Sequence, residues 1–388
     1  MAIAGDSADD VAGTSVAISG DGRTLVVGAP GYNDDRPGYV KVYYRQFDWS
    51  GLKWQLAETF TGKESGDIFG YSVSMSEDGK TIATGAPNNG PGYTRVYTRK
   101  DDDWIQLGED IEGEALGDWS GGSVSLSSNG KTVAIGAYGS NGDYSGHVRV
   151  YTVVESDGDS SSVASWQQVG QDIDGEAERD YSGGSVSLSA DGRTVAIGAY
   201  VNDGGGVSSG HVRVYNLVGD DWEQIGQDID GENEGDYFGV SISLSSDGST
   251  VAVGAYLNND SGEGAGKVKV YELDLDSDDK WVQIGHDLVG EAAGDKAGYS
   301  VSLSSDGKVL AIGAPYGDVS GNVRVYHFVG SNDSDASWVQ VGKNIIGDKA
   351  GDNAGFSVSL SSNGKVIAVG SPGNDNNGEN SGHAQVFN

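Results

Sequence analysis

The chain has 388 residues, 58 acidic against 24 basic, and a formal net charge of −34. That balance argues against nucleic acid as a partner, which needs a basic footprint, and against docking on anionic lipid. Cysteine is absent, so there is neither a disulfide framework nor thiol chemistry, and no apolar run approaches the ~20 residues of a membrane span.

From the N-terminus onward the chain repeats one phrase. A Ser-Val-x-Leu-Ser segment is followed by a Ser-x-Asp-Gly turn and a Thr-Val-Ala-Ile-Gly-Ala segment. The anchor serines are Ser15, Ser72, Ser123, Ser185, Ser241, Ser300 and Ser357, spaced by 57, 51, 62, 56, 59 and 57 residues. A long period holding several short strands marks a β-propeller. The expectation is all-β: one domain over residues 1–388, a seven-bladed β-propeller of four-stranded antiparallel blades. The sequence begins in mid-repeat without a visible signal peptide, so it reads as a domain cut from a longer protein.

The fourth repeat illustrates a blade. Ser185-Val186-Ser187-Leu188-Ser189 alternates with period two and predicts strand A. Ala190-Asp191-Gly192-Arg193 is a hairpin turn, and Thr194 to Ala199 is strand B. A polar, glycine-rich loop leads to strand C at His211-Val212-Arg213-Val214-Tyr215, and strand D starts at Trp222. Val186, Leu188, Val195 and Ile197 share one face of A and B; serines, Ala196 and Gly198 share the other. A bulky face set against a small one fills the wedge between blades, so the serines read as packing residues rather than nucleophiles. The B–C loops and D–A connections fall on one face of the disc, which carries most of the irregular polar sequence.

The Trp-bearing strand D recurs at Trp54, Trp104, Trp166, Trp222, Trp281 and Trp338, but the last repeat stops after strand C. The last blade is therefore either closed by the N-terminus or incomplete. Met1 to Gly5 aligns with the end of strand D, predicting a short closure that leaves much of His383 to Phe387 open. The chain is expected to be a monomer with an edge that invites association.

Phe69-Gly70-Tyr71-Ser72-Val73 followed by Gly85-Ala86-Pro87 resembles the FG-GAP repeat of integrin-α-like propellers. Gly28-Ala29-Pro30, Gly313-Ala314-Pro315 and Phe238-Gly239 repeat parts of it. The resemblance, closest to the shorter repeats of secreted and surface proteins, implies a seven-bladed propeller used for binding or adhesion, outside the cell or on its surface. It departs from the integrin pattern in one respect: the A–B turn Ser76-Glu77-Asp78-Gly79-Lys80 has too few oxygens for the calcium hairpin.

Three sets of candidate site residues remain. An acidic pair recurs in the D–A connections: Glu64 and Asp67, Glu114 and Asp118, Glu176 and Asp180, Glu232 and Asp236, Glu291 and Asp295, Asp348 and Asp352, with Asp6 and Asp10 aligned. It is either a ring that attracts cations or a set of turns in which each Asp accepts backbone amides. The B–C loops offer oxygen ligands at Asp34, Asp35, Asp203, Asp260 and Asp375, with calcium as the candidate cofactor. The third to fifth repeats break symmetry with Trp119, Tyr181 and Tyr237 after the Asp, Tyr138, Tyr200 and Tyr256 after Gly-Ala, and His147 and His211 opening strand C. These rings are either a ligand surface or wedges between blades. Five histidines without cysteine or a metal-type spacing point away from zinc.

The function expected is a non-enzymatic extracellular or cell-surface binding module presenting its loop-rich face to a glycan or protein partner. A propeller hydrolase or lyase acting on polysaccharide is the alternative, and it would need convergent polarising groups in one pocket.

Overall fold

The computed structural model describes residues 2–31, 36–48, 51–139, 142–154, 164–276, 280–330 and 336–388. The described strands form seven antiparallel sheets, one per repeat, without α-helix. Blade 4 comprises Ser182–Leu188, Thr194–Ala199, His211–Val218 and Asp221–Gln224 as strands A to D. Val186 faces Ile197 and Leu188 faces Val195 across the A–B ladder, while Ser185 faces Gly198 and Ser187 faces Ala196. The two faces then do as their sizes dictate. Val186, Leu188, Val195 and Ile197 of blade 4 pack on Ala134, Val148 and Val150 of blade 3. Ala196 of blade 4 in turn receives Leu244, Val251 and Val253 of blade 5.

The serines bind the blades into a ring. Ser15 Oγ donates to the Gly70 carbonyl, Ser72 to Gly121, Ser123 to Gly183, Ser185 to Gly239, Ser241 to Gly298 and Ser300 to Gly355. Ser357 donates to Gly13 at 2.8 Å and closes the circle. A second belt uses the serine two residues on, whose hydroxyl accepts the amide of the next blade, as in Leu188 N to Ser125 Oγ at 2.9 Å. Blade 1 has Ala17 at this position, so the link to Met75 is missing. At the A–B turns a third belt is all backbone. Gly20 N binds Glu77 O, and the chain of bonds runs through Ser128, Ala190, Ser246 and Ser305 until Ser362 N returns to Gly20 O at 3.1 Å.

Two details differ from the sequence reading. Strand D is broken: in blade 4, Asp221–Gln224 pairs with the far half of strand C, and a separate segment, Ile229–Asp230, pairs with His211 and Val212. The closing strand, Ala2–Ala4, pairs with His383, Ala384 and Gln385 and so replaces this short segment rather than the Trp strand. Ile3 is buried in the joint as Ile229 is in blade 4. Val386 and Phe387 have no outer partner strand among the described residues. No helix of the described residues is long and apolar enough to cross a membrane.

Candidate ligand site

The acidic pairs resolve into two roles. Asp10, Asp67, Asp118, Asp180, Asp236, Asp295 and Asp352 are all buried. Their carboxylates serve their own connections: Asp118 Oδ2 accepts Glu114 N at 2.9 Å and Ala115 N at 2.7 Å, and Asp295 repeats the arrangement. In blades 4 and 5 the Asp also accepts the Nδ2 of Asn202 or Asn258, tying the B–C loop to the D–A connection. These are turn acceptors. The outer acid faces solvent and, in most blades, meets a basic or amide residue of strand C: Lys41 with Asp6, Arg149 with Glu114, Arg213 with Glu176, Lys269 with Glu232 and Gln385 with Asp348.

The B–C loop carboxylates are not gathered at one point. Asp203 Oδ1 accepts Ser208 N and Asp375 Oδ1 accepts Asn380 N, each at 2.8 Å, so both shape their own loops. Asp260 accepts the Lys267 ammonium at 2.6 Å. Asp34 and Asp35 lie outside the described residues.

The aromatic residues do come together, and more of them than the symmetry argument found. Around the axis on the loop-rich face lies a cavity of about 310 Å³, lined by Tyr71, Tyr138, Tyr200, Tyr256, Tyr299 and Phe356, with Thr14, Gly122, Gly184 and Val240 between them. Trp119, Tyr181 and Tyr237 stand behind the cup as spacers. The rings run in unbroken contact from Trp119 through Tyr138, Tyr181, Tyr200, Tyr237, Tyr256 and Tyr299 to Phe356, with centroid separations of 5.1, 6.3, 5.7, 6.0, 5.9, 5.5 and 4.7 Å. The rings wedge against one another, and all remain partly exposed.

Local sequence explains the arrangement. The residue before each anchor serine points at the axis. Where it is Tyr71, Tyr299 or Phe356, it supplies its own ring. Where it is Gly122 or Gly184, a tyrosine from the end of strand B lies over the glycine instead. A Cβ on Gly122 would stand 2.2 Å from Tyr138 Cε1, and one on Gly184 would stand 2.4 Å from Tyr200 Cε1. Trp119, Tyr181 and Tyr237 take left-handed backbone with φ of 55°, as Val11, Ile68, Lys296 and Asn353 do in the other blades. The conformation therefore belongs to the connection, and it aims these side chains toward the axis side of the face. Burial, with the nearby phenols of Tyr71, Tyr181, Tyr256 and Tyr237, pushes the Tyr200 phenol well above its usual range, so it stays a neutral hydroxyl.

His147 and His211 are not part of the cup. They are 3% and 1% exposed. Each pairs with the alanine that ends strand B and, on the other side, with Asp174 or Asp230 of the short outer segment. The sequence reading placed them on the exposed face; the extra outer segment, which it did not foresee, covers them. Burial holds the His211 imidazole down to about 4.

The FG-GAP resemblance acquires a physical basis here. Gly70, at the FG position, has a φ of 90°, and its equivalents in all blades lie between 84° and 92°. Its carbonyl presses on the glycine of Gly-Ala in the preceding blade: a Cβ on Gly28 would be 2.2 Å from Gly70 O, and one on Gly85 only 1.9 Å from Gly121 O. Neither glycine tolerates a side chain at this approach. Phe69 is fully buried beside it.

The FG-GAP repeat family matches residues 229–271 and 338–387. No curated protein matches the sequence. Among solved structures, the chain is similar in fold to a Bacteroides fragilis protein provisionally named 6-phosphogluconolactonase, with a TM-score of 0.57 and 14% identity over 87% of this chain and 85% of that one. A Bacteroides uniformis protein of the same provisional name gives a TM-score of 0.56 and 13% identity over 87% and 86%. A Desulfotomaculum acetoxidans protein of unknown function gives 0.53 and 17% over 86% and 88%. Likeness at these identities concerns the fold alone. The chain is a seven-bladed β-propeller in which residues 229–271 and 338–387 match the FG-GAP repeat.

Proposed function

We propose that this propeller is a non-enzymatic, extracellular or cell-surface binding module that takes a neutral glycan in the aromatic cup of its loop-rich face. The observation that carries the reading is the cup's composition. Six aromatic rings line it, and among the described residues no carboxylate, imidazole, guanidinium or ammonium does. General acid–base chemistry at neutral pH is served best by a group that titrates near it within hydrogen-bond reach of the reacting atom, and burial raises the Tyr200 and Tyr256 phenols away from that range. Stacking needs only ring faces, and tyrosine hydroxyls add donors and acceptors for sugar hydroxyls. The volume is that of a small-ligand pocket, at the lower end of the ~300–1,000 Å³ range. The chain's net charge of −34 disfavours an anionic glycan. A protein partner inserting an apolar side chain is the other occupant of the same cup.

The rival reading, a hydrolase or lyase on polysaccharide, is separated by two parallel measurements on the purified chain. One is a glycan array with and without calcium. The other is a turnover screen against polysaccharides and sugar lactones. Saturable capture of a neutral glycan without turnover supports the proposal. Clear turnover overturns it.

A further inference from the structure

Blade 5 shows what one recurrent nest of acids holds. The Lys267 side chain is buried, and its ammonium lies 2.6 Å from Asp260, 3.0 Å from Glu232 and 3.6 Å from Asp287. Lys269 pairs with Glu232 as well. The nest is a cation site filled from within the chain. Blade 4 keeps two of these three acids around a different centre, with Gly204 where Asp260 stands. Glu176 stands where Glu232 does, Asp228 where Asp287 does, and His211 replaces Lys267.

His211 leaves the nest unfilled. It is 1% exposed, and the Nε2 of its imidazole is buried without a hydrogen-bond partner. Its Nδ1 faces Glu176 Oε2 at 3.9 Å. Ligand atoms of Glu176, His211 and Asp228 all lie within 4.8 Å of one another. The remaining oxygens are already held in place. Arg213 Nη1 lies 3.4 Å from Glu176 Oε1, and Gln224 Nε2 donates to Asp228 Oδ1 at 2.6 Å, so each carboxylate keeps one oxygen free to turn inward. Arg213 Nη2 is engaged by the Asp174 carbonyl at 2.7 Å. Asp230, paired across the strands with His211, adds a third negative charge nearby. Glu176 and Asp228 thus face one guanidinium and an imidazole that burial keeps uncharged. Asp230 is itself pushed up, by burial and then by Asp228.

We propose that Glu176, His211 and Asp228 form a site for one divalent cation of the zinc type. One imidazole and two carboxylates with an open fourth position suit such an ion, at ligand distances of about 2.0–2.2 Å. The exposed Glu176 and half-buried Asp228 close the remaining gap by side-chain rotation. Calcium, which wants six to eight oxygens, is not served by this set. The site lies beneath the outer segment of blade 4, away from the aromatic cup.

Calorimetric titration of zinc chloride into the full chain tests this, with excess calcium present to occupy diffuse acidic surface. The expected result is one saturable site per chain. His211→Lys installs the ammonium seen in blade 5; it should keep the fold, by circular dichroism, and abolish the zinc isotherm. Glu176→Gln, at an exposed position, should weaken binding by at least roughly tenfold, the lower end of what removing even a supporting group costs. Lys267→His should create a second site. No saturable zinc binding, or a wild-type isotherm in both His211→Lys and Glu176→Gln, would overturn the proposal.

Discussion

Replacing Asp118 by alanine distinguishes a turn acceptor from a ligand-facing acid. The carboxylate is 3% exposed and accepts two backbone amides, at 2.9 and 2.7 Å. A hydrogen bond to a charged group contributes about 1.5–3 kcal/mol, and both amides lose theirs together. Partial rehydration of the connection offsets part of the loss, leaving a cost of roughly 3 kcal/mol. The unfolding entropy of a chain of 388 residues is roughly 0.8 kcal/mol per degree, so the midpoint should drop by about 4 °C. Asp118→Asn keeps one acceptor oxygen and should lose about half as much. Glu114→Gln, at the exposed partner, should cost under about 1 kcal/mol. Differential scanning calorimetry of the three variants measures this order. A stable Asp118→Ala protein would refute the reasoning and return the buried acids to the ligand.

Three further outcomes follow from the ring. Ala17→Ser supplies the hydroxyl that blade 1 lacks in the second serine belt; it should raise stability by about 1 kcal/mol in urea unfolding, and a loss would show that the hydroxyl cannot reach Met75 N. Deleting residues 1–5 removes the strand paired with His383–Gln385 and the buried Ile3, so the thermal midpoint should fall; an unchanged midpoint would mean that the N-terminus does not close the ring. His147 and His383 are held below the usual imidazole range by burial, with Arg149 adding to the effect at His147. Their folded pKa is below the unfolded one, so the stability they protect is complete above about pH 6.5 and is lost as pH falls through the folded value. The thermal midpoint should decline from pH 7 towards pH 5, and His383→Gln should flatten that decline; a slope unchanged in the variant would contradict the assignment.

The repeat period, the faces of strands A and B and the role of the serines were all legible because they rest on local alternation and on seven aligned copies. Ser185 and Ser187 alternate with Val186 and Leu188, and that alone separates the small face from the bulky one. The split outer strand was not legible: Ile229–Asp230 is two residues long and carries no pattern of its own. Missing it misplaced His147 and His211 at the surface. The aromatic cup was read by comparing one position at a time across repeats. Tyr71, Tyr299 and Phe356 escaped because they occupy a different position from Tyr138 and Tyr200. The signal was present as a covariation: repeats with glycine before the anchor serine carry tyrosine after Gly-Ala, and those with an aromatic there carry proline. The Glu176, His211 and Asp228 cluster joins a connection, a strand end and an outer loop, and no spacing rule brings those together.

The central claim is that the ligand stacks in the axial cup. The direct measurement is capture of the array-identified glycan by wild type and by a Tyr138→Ala, Tyr200→Ala, Tyr256→Ala variant, with folding of both followed by circular dichroism. Each lost ring removes about 0.5–1.5 kcal/mol of stacking beyond its area, so the triple change should weaken capture by one to three orders of magnitude while the propeller spectrum persists. Undiminished capture by a folded triple variant would contradict the account and move the site away from the cup.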